Sequence, residues 1–182
     1  MKTLKPYWIA LVVAAAGTLA GCTTARIEAA DLSDTIHTAL SRAGLKDVSV
    51  SQDRAKGVVT LGGHVTADAD KLQAASIAKS VAGNQVVANE IAVVPRHNES
   101  DAKKVNSALD DAIKSSLDVE LIRDQLDDRV KFTVRNHVVT LTGDVTTPSM
   151  RARAESIAAA VPNVQQVVNE LQVKNQKATS SQ

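Results

Sequence analysis

Apolar residues recur first at helical and then at strand spacing, in the same order, in both halves of this chain. Ala74, Ile77, Ala78 and Val81 fall at i, i+3, i+4 and i+7, one face of a helix, and Ala154, Ile157, Ala158 and Val161 repeat that spacing. After each comes a stretch of period two, Val87, Asn89, Ile91, Val93 and then Val167, Asn169, Leu171, Val173, which predicts a half-buried strand. Ahead of each helix lie the β-branched runs Val58-Val59-Thr60-Leu61 and Val138-Val139-Thr140-Leu141, each followed two residues later by Gly63 or Gly143. A glycine at that place predicts a bulge or a close backbone approach. Before these runs lie a further strand (Val48 to Ser51; Lys131 to Val134) and an opening helix, marked by Ile36/Leu40 in the first half and Val105/Leu109/Ile113/Leu117 in the second. Each half therefore predicts an α+β module of order αββαβ, with two helices packed on one face of a three-stranded mixed sheet.

The halves are copies. Residues 57–93 align with 137–173 at a constant offset of 80 and without a gap, and 17 of the 37 positions are identical. What the copies share is mostly core. His64 is matched by Asp144, Asp68 by Pro148, Asp70 by Met150 and Lys79 by Ala159, and the only ionisable pair kept is Glu90/Glu170. The shared module is a scaffold and not a shared active site.

The first 21 residues have the build of a secretory signal peptide. Lys2 and Lys5 precede the apolar run Trp8 to Ala16, which is short of the roughly 20 residues a membrane span needs. The segment ends Leu19-Ala20-Gly21-Cys22, a bacterial lipobox at every position. By its resemblance to lipoprotein signals, Cys22 receives a diacylglyceryl group and becomes the first mature residue, with palmitate among the expected chains. Two or more acyl chains anchor stably, at about 0.8 kcal/mol per buried CH₂. Thr23 follows the cysteine, not the aspartate that marks inner-membrane retention, so the resemblance directs the protein to the periplasmic face of the outer membrane. The expected organisation is signal peptide 1–21, lipidated tether 22–30, module 31–95, linker 96–100, module 101–174 and a polar tail 175–182 expected to be disordered. About nine residues from Cys22 to Asp31 reach roughly 30 Å when extended, which keeps the first module near the bilayer.

Composition then excludes several functions. Residues 1–21 hold two of the 21 basic residues and none of the 20 acidic ones, so the mature charge is −1. Tyr7 and Trp8 leave with the signal peptide, and Phe132 is the only mature aromatic residue. Sugar platforms, aromatic cages and base stacking all need aromatic faces, and nucleic-acid binding also needs a basic excess. Cys22 is the single cysteine, so no disulfide forms within the chain.

Catalytic readings find no foothold. His37, His64, His97 and His137 fall in no metal-ligand spacing, and a structural or solvated role is expected for each. Ser33, Ser76 and Ser156 lack a nucleophile-elbow context, and Gly57, Gly62 and Gly63 do not form a phosphate-cradling loop. Adjacent acids such as Asp110-Asp111 and Asp127-Asp128 diverge on a helix and do not converge on one ion. Asn89 and Asn169, kept beside the paired glutamates, are expected to bond the backbone at a strand irregularity. No cofactor, metal, nucleic acid or small-molecule substrate is expected. The remaining candidate is the opening helix of the second module, about 102–127, with Lys103, Lys104, Lys114 and Arg123. Lys103, Ser107, Asp110 and Lys114 share one stripe, read as lying opposite Val105, Leu109, Ala112 and Ile113, and a basic stripe of this kind suits anionic headgroups although Asp110 and Asp111 dilute it.

Val138-Val139-Thr140-Leu141-Thr142-Gly143-Asp144-Val145, then Ala154, Ile157, Ala158 and Val161, then Val167-Val168-Asn169-Glu170-Leu171 and Val173, resemble the BON domain. The first module shows the same pattern with Gly62 for Thr142 and Ile91 for Leu171. With the lipobox, two such domains resemble the dual-BON outer-membrane lipoproteins, and more distantly the soluble periplasmic proteins that carry the domains alone. That resemblance implies no catalysis, binding of anionic phospholipid through the second module and a role in envelope integrity. It makes the opening helix of that module the lipid-facing element, with Lys103, Lys104, Lys114 and Arg123 as headgroup candidates and Leu117 or Val119 as apolar contacts. The helix lacks the aromatic anchor usual at a membrane interface. The stretch Ser49 to Ala55 replaces the tighter hairpin of the second module, and the first module is expected to serve packing and tethering. An adaptor that docks an envelope protein partner through sheet edges or helix grooves stands as the alternative.

Overall fold

The computed structural model describes residues 28–96 and 99–174, so Cys22, the signal peptide, His97 and the tail from residue 175 lie outside the described residues. The first module runs α1 (Ser33–Arg42), β1 (Val48–Asp53), β2 (Val58–Val65), α2 (Asp68–Ala82), β3 (Val86–Asn89) and β4 (Ala92–Val93). The second runs α3 (Glu99–Arg123), β5 (Val130–Arg135), β6 (Val138–Val145), α4 (Pro148–Ala160), β7 (Gln166–Asn169) and β8 (Gln172–Val173). Helix α3 thus opens inside the segment read as linker.

Each sheet has the long second strand at its centre. β1 pairs antiparallel with β2, and β3 and then β4 pair parallel with that same β2. β6 is flanked likewise by β5, β7 and β8. The third strand of each module is one strand broken at Glu90 or Glu170, where the peptide leaves the ladder and its N–H still donates to Leu61 O or Leu141 O at 2.9 Å. Helices cover one face, as the period-3.6 stripes require. Ile36, Leu40, Leu61, Ala74, Ala78 and Ile91 are fully buried in one core, and Leu117, Leu121, Leu141, Ala154, Ala158 and Leu171 fill matching places in the other.

The hairpins differ. Arg135 pairs with Val138 across the two-residue turn Asn136-His137, whose φ values of 47° and 68° are those of a type I′ turn. In the first module Asp53 pairs with Val58, which leaves four residues, Arg54 to Gly57, in the turn. The ungapped duplication begins at residue 57 because the chain ahead of it carries that insertion.

Gly63 (φ 85°) and Gly143 (φ 123°) stand opposite Val48 and Val130 in the ladders. A Cβ at either would collide with a backbone carbonyl oxygen, that of Asp47 or of Arg129. Both the positive φ and the close approach demand glycine.

Candidate functional site: the outer face of α3 and the joint between modules

α3 is 25 residues long against 10 for α1. Its C-terminal part repeats α1, with Leu117, Leu121 and Leu126 in the places of Ile36, Leu40 and Leu45. Its first fifteen residues, Glu99 to Ile113, therefore extend beyond anything in the first module.

The face that α3 turns outward is not the one the charge pattern suggests. Ile113, Leu117 and Leu121 point into the core. Asp110 also points inward, and its carboxylate accepts the backbone N–H groups of Asn136 and His137, each at 2.8 Å, so it holds the type I′ turn. Outward stand Val105 (57% exposed), Ala108, Ala112, Ser115, Val119 (56%) and Ile122 (53%). Their spacing of 3, 4, 3, 4, 3 is a continuous stripe along the helix. Val105 and Ala112, read from sequence as partners of Ile113, thus belong to the opposite face. The reading of Leu117 as a lipid contact is overturned because its side chain is fully buried, whereas Val119 is open. The sequence signal for the stripe was present in this 3-4 spacing, but an exposed apolar stripe and a buried one share a period.

All four basic candidates are exposed, but only Lys104 and Arg123 flank this stripe, toward its two ends; Lys103 and Lys114 share the side of the helix that carries Asp110, away from it. Three of them hold acids on the same helix: Lys104 with Asp101 at 3.8 Å, Lys114 with Asp111 at 3.0 Å and Arg123 with Glu120 at 2.9 Å. Exposed pairs at this spacing are worth only about 0.3–0.5 kcal/mol. A cation that meets a phosphate surface exchanges one partner for another at little cost. Among the described residues no helix is long and apolar enough to cross a membrane.

The modules meet where β3 and β7 lie edge to edge. Val58, Ala88, Val138 and Val168 form a small buried cluster there, and they are two pairs of residues equivalent in the duplication. The joint therefore has an approximate two-fold character. Gln166 serves as a rung between the strands, its Nε2 donating to Val87 O at 2.7 Å and its Oε1 accepting from Asn89 N at 3.0 Å. A side-chain amide offers one donor and one acceptor just as a peptide does, so it satisfies the free edge of β3. Asn136 Nδ2 donates to Glu90 O at 2.7 Å, and at the equivalent position Lys56 Nζ lies 2.6 Å from Glu170 Oε2. The hydrogen bond from Lys56 to Glu170 raises the lysine above its usual range, against the opposing effect of burial. Burial pushes the Glu90 carboxyl up; Arg135 opposes this, while Asp110 and Glu170 add to it.

Asn89 and Asn169 secure the strand breaks. Each Oδ1 accepts from the backbone two residues on, Ile91 N at 3.4 Å or Leu171 N at 3.2 Å, and each Nδ2 donates to the helix behind, Lys71 O or Arg151 O, both at 3.2 Å. Their place is structural. His37 and His64 are exposed, and His137 has its Nε2 buried without a partner. The tether, too, is partly tied down: Ala29 N donates to Arg54 O at 2.9 Å, and the Ala30 carbonyl accepts from Gln52 Nε2 at 2.6 Å and Gln85 Nε2 at 3.0 Å. That fixes the chain beside the Arg54–Gly57 turn, which also carries Lys56 to the joint.

The family model described as "BON domain" matches residues 28–95 and 105–175. Osmotically-inducible protein Y of Escherichia coli (strain K12) is 34% identical over 130 residues, 70% of this chain and 62% of that protein, so the match spans less than two thirds of the relative. Two solved structures of CdsD of Chlamydia trachomatis also overlap. The C-terminal domain of this type III secretion protein gives a TM-score of 0.33 at 11% identity, over 78% of this chain and 64% of that one. The second gives 0.31 at 12% identity, over 77% and 60%. Overlap at that level carries no argument about function.

Proposed function

The chain belongs to the BON-domain family, and from that premise we propose that it is a non-enzymatic, lipid-anchored envelope protein whose second module lies against anionic phospholipid at the periplasmic face of the outer membrane. The observation that carries this reading is the outward stripe of α3, from Val105 to Ile122, which is apolar or small throughout and flanked by the cations Lys104 and Arg123. Each cation near an anionic leaflet contributes about 1 kcal/mol, and each buried CH₂ about 0.8 kcal/mol. The near-neutral charge of the chain keeps the attraction local to this helix. The lipobox ending at Cys22 supports the anchor, and the name of the osmotically inducible relative supports a role in tolerance of envelope stress.

Co-sedimentation of protein beginning at Thr23, which lacks the acylation site, tests the lipid surface. Pelleting with phosphatidylglycerol vesicles and not with phosphatidylcholine vesicles is expected. Equal pelleting with both, or none with either, removes the headgroup reading and leaves the docking of an envelope protein partner. Intact mass of the mature protein from membranes tests the anchor, and an unmodified amino terminus overturns it.

A further inference from the structure

The approximate two-fold joint leaves a groove on each side, and the two grooves have diverged in charge. One, of about 270 Å³, is lined by Lys56, Val58, Arg151, Val168, Asn169 and Glu170. Its lysine is matched: Lys56 lies on Glu170. The other, of about 450 Å³, runs between α2 and the start of β6 and β7, and Lys71, Asn89 and Val138 occupy the places of Arg151, Asn169 and Val58.

In this larger groove neither cation is paired with an acid among the described residues. Lys71 is half-buried, and no carboxylate lies within 4.0 Å of its ammonium among the described residues; it donates instead to Gln165 Oε1 across the joint, at 3.2 Å. Burial pushes this lysine down, and the more distant Asp68 and Asp110 only partly offset that. Lys79 lies two turns further along the same helix face. In the second module those two positions are Arg151, which donates to Asn169 O, and Ala159, so the pair of ammonium groups belongs to the first module alone. Between them the wall is apolar: Ala75, Val138 and Leu72, the last 70% exposed and the most open large apolar side chain of the described residues. Asp68 at the mouth leaves the lining net positive.

A half-desolvated ammonium with no counter-charge in contact is an unfavourable arrangement in an empty groove and a favourable one once an anion arrives. The volume is in the range of small-ligand sites. We propose that this groove binds an amphiphilic oxyanion, a phosphate or carboxylate joined to a short aliphatic body, with Lys71 and Lys79 on the oxyanion and Leu72, Ala75 and Val138 along the aliphatic part. The site is distinct from the outer face of α3, and its occupant bridges α2 of one module to β6 and β7 of the other.

Titration of the purified protein with octyl phosphate below its micelle concentration, followed by amide chemical shifts, tests the site. Octyl phosphate is expected to shift the amides of Lys71, Leu72 and Gln165. Inorganic phosphate is expected to bind at least tenfold more weakly, and octyl glucoside, which has the chain without the charge, not to bind. The double variant Lys71→Gln/Lys79→Gln is expected to lose at least tenfold in octyl phosphate affinity while keeping its amide spectrum elsewhere and its thermal midpoint. Vesicle pelleting separates the sources of the oxyanion. If the double variant also loses phosphatidylglycerol pelleting, the occupant is a bilayer headgroup; if it pellets as the parent does, the occupant is a free amphiphile. Octyl glucoside binding as well as octyl phosphate, or unchanged affinity in the double variant, overturns the proposal. Neither result touches the lipid surface on α3, which is tested by variants of that helix.

Discussion

Lys56 and Glu170 are 114 residues apart in the chain, yet Nζ and Oε2 stand 2.6 Å apart across the joint, with the glutamate side chain only 10% exposed. Asp53, 3.3 Å away, shares the lysine. Removing the ammonium leaves a largely desolvated carboxylate without its partner, an asymmetry that costs about 1–3 kcal/mol. Lys56→Met is therefore expected to lower the unfolding free energy by that amount, and to split one calorimetric transition into two if the joint is what makes the modules melt together. The pH dependence has a defined sign. A lysine raised in the folded state contributes stability that is complete below its unfolded value and is lost as pH rises through the folded one. The parent protein should lose stability above about pH 10.4 more steeply than Lys56→Met.

Glu90 presents the reverse case. Its carboxyl is raised, first by burial, so the folded state favours the neutral acid and bears a penalty once the group is charged. That penalty is absent below the unfolded value of about 4.3 and grows as pH rises through the folded one. Glu90→Gln keeps the carbonyl that accepts from Asn136 and removes the charge. It should raise the melting temperature at pH 7, by less than about 1 kcal/mol in stability because the group is partly solvated, and the gain should vanish near pH 4. A melting temperature unchanged at pH 7 contradicts the burial argument.

Gly63 and Gly143 separate backbone strain from steric collision. Alanine at either position meets the carbonyl oxygen of the residue just before the neighbouring strand, at a φ that L residues avoid, so the loss should reach about 3 kcal/mol or more in urea denaturation. Gly57 has a φ of 67° but open space around its Cβ position, so Gly57→Ala should cost only about 1 kcal/mol. Conversely, His137 occupies the equivalent turn position at φ 68° with its Nε2 unsatisfied. His137→Gly produces the Asn-Gly pair that type I′ turns favour, and should stabilise the second module by about 0.5–1 kcal/mol.

The αββαβ order, both cores and the two special glycines were legible because each leaves a mark of fixed period or position. Ala74 and Ala78 recur one helical turn apart, and the two copies of the stripe cross-check each other. The break at Glu90 was legible only through the asparagines, which were expected to bond the backbone at a strand irregularity and do so; the apolar pattern hides it, since Val87, Asn89, Ile91 and Val93 alternate smoothly through it. On α3 the periodicity located the helix but placed Val105 and Ala112 on the wrong side. Two apolar stripes wind along this helix, one through Ile113, Leu117 and Leu121 and one through Val105, Ala112, Val119 and Ile122, and only the sheet decides which is covered. The joint was out of reach. Its contacts, Gln166 on β3 and Lys56 on Glu170, use polar residues whose partners lie in the other module, and no local pattern encodes such a pairing.

Substitutions along α3 distinguish the two stripes, and with them test the proposed lipid surface. Val119 and Ile122 are each more than half exposed, so an aspartate at either position costs the fold little, within about 0.5 kcal/mol. At an anionic membrane the same change removes three or four buried carbons and adds a repelled charge, worth together about 3 kcal/mol or more. Val119→Asp/Ile122→Asp should therefore fold with the parent's melting temperature and lose at least tenfold in binding to phosphatidylglycerol vesicles. Lys104→Glu should weaken binding as well, with a smaller dependence on salt than the parent because fewer cations remain to be screened. Leu117→Asp, one stripe over, should unfold the second module and report nothing about lipid. Retention of full vesicle binding by the double aspartate variant, with its fold intact, places the lipid contact elsewhere than on this face of α3.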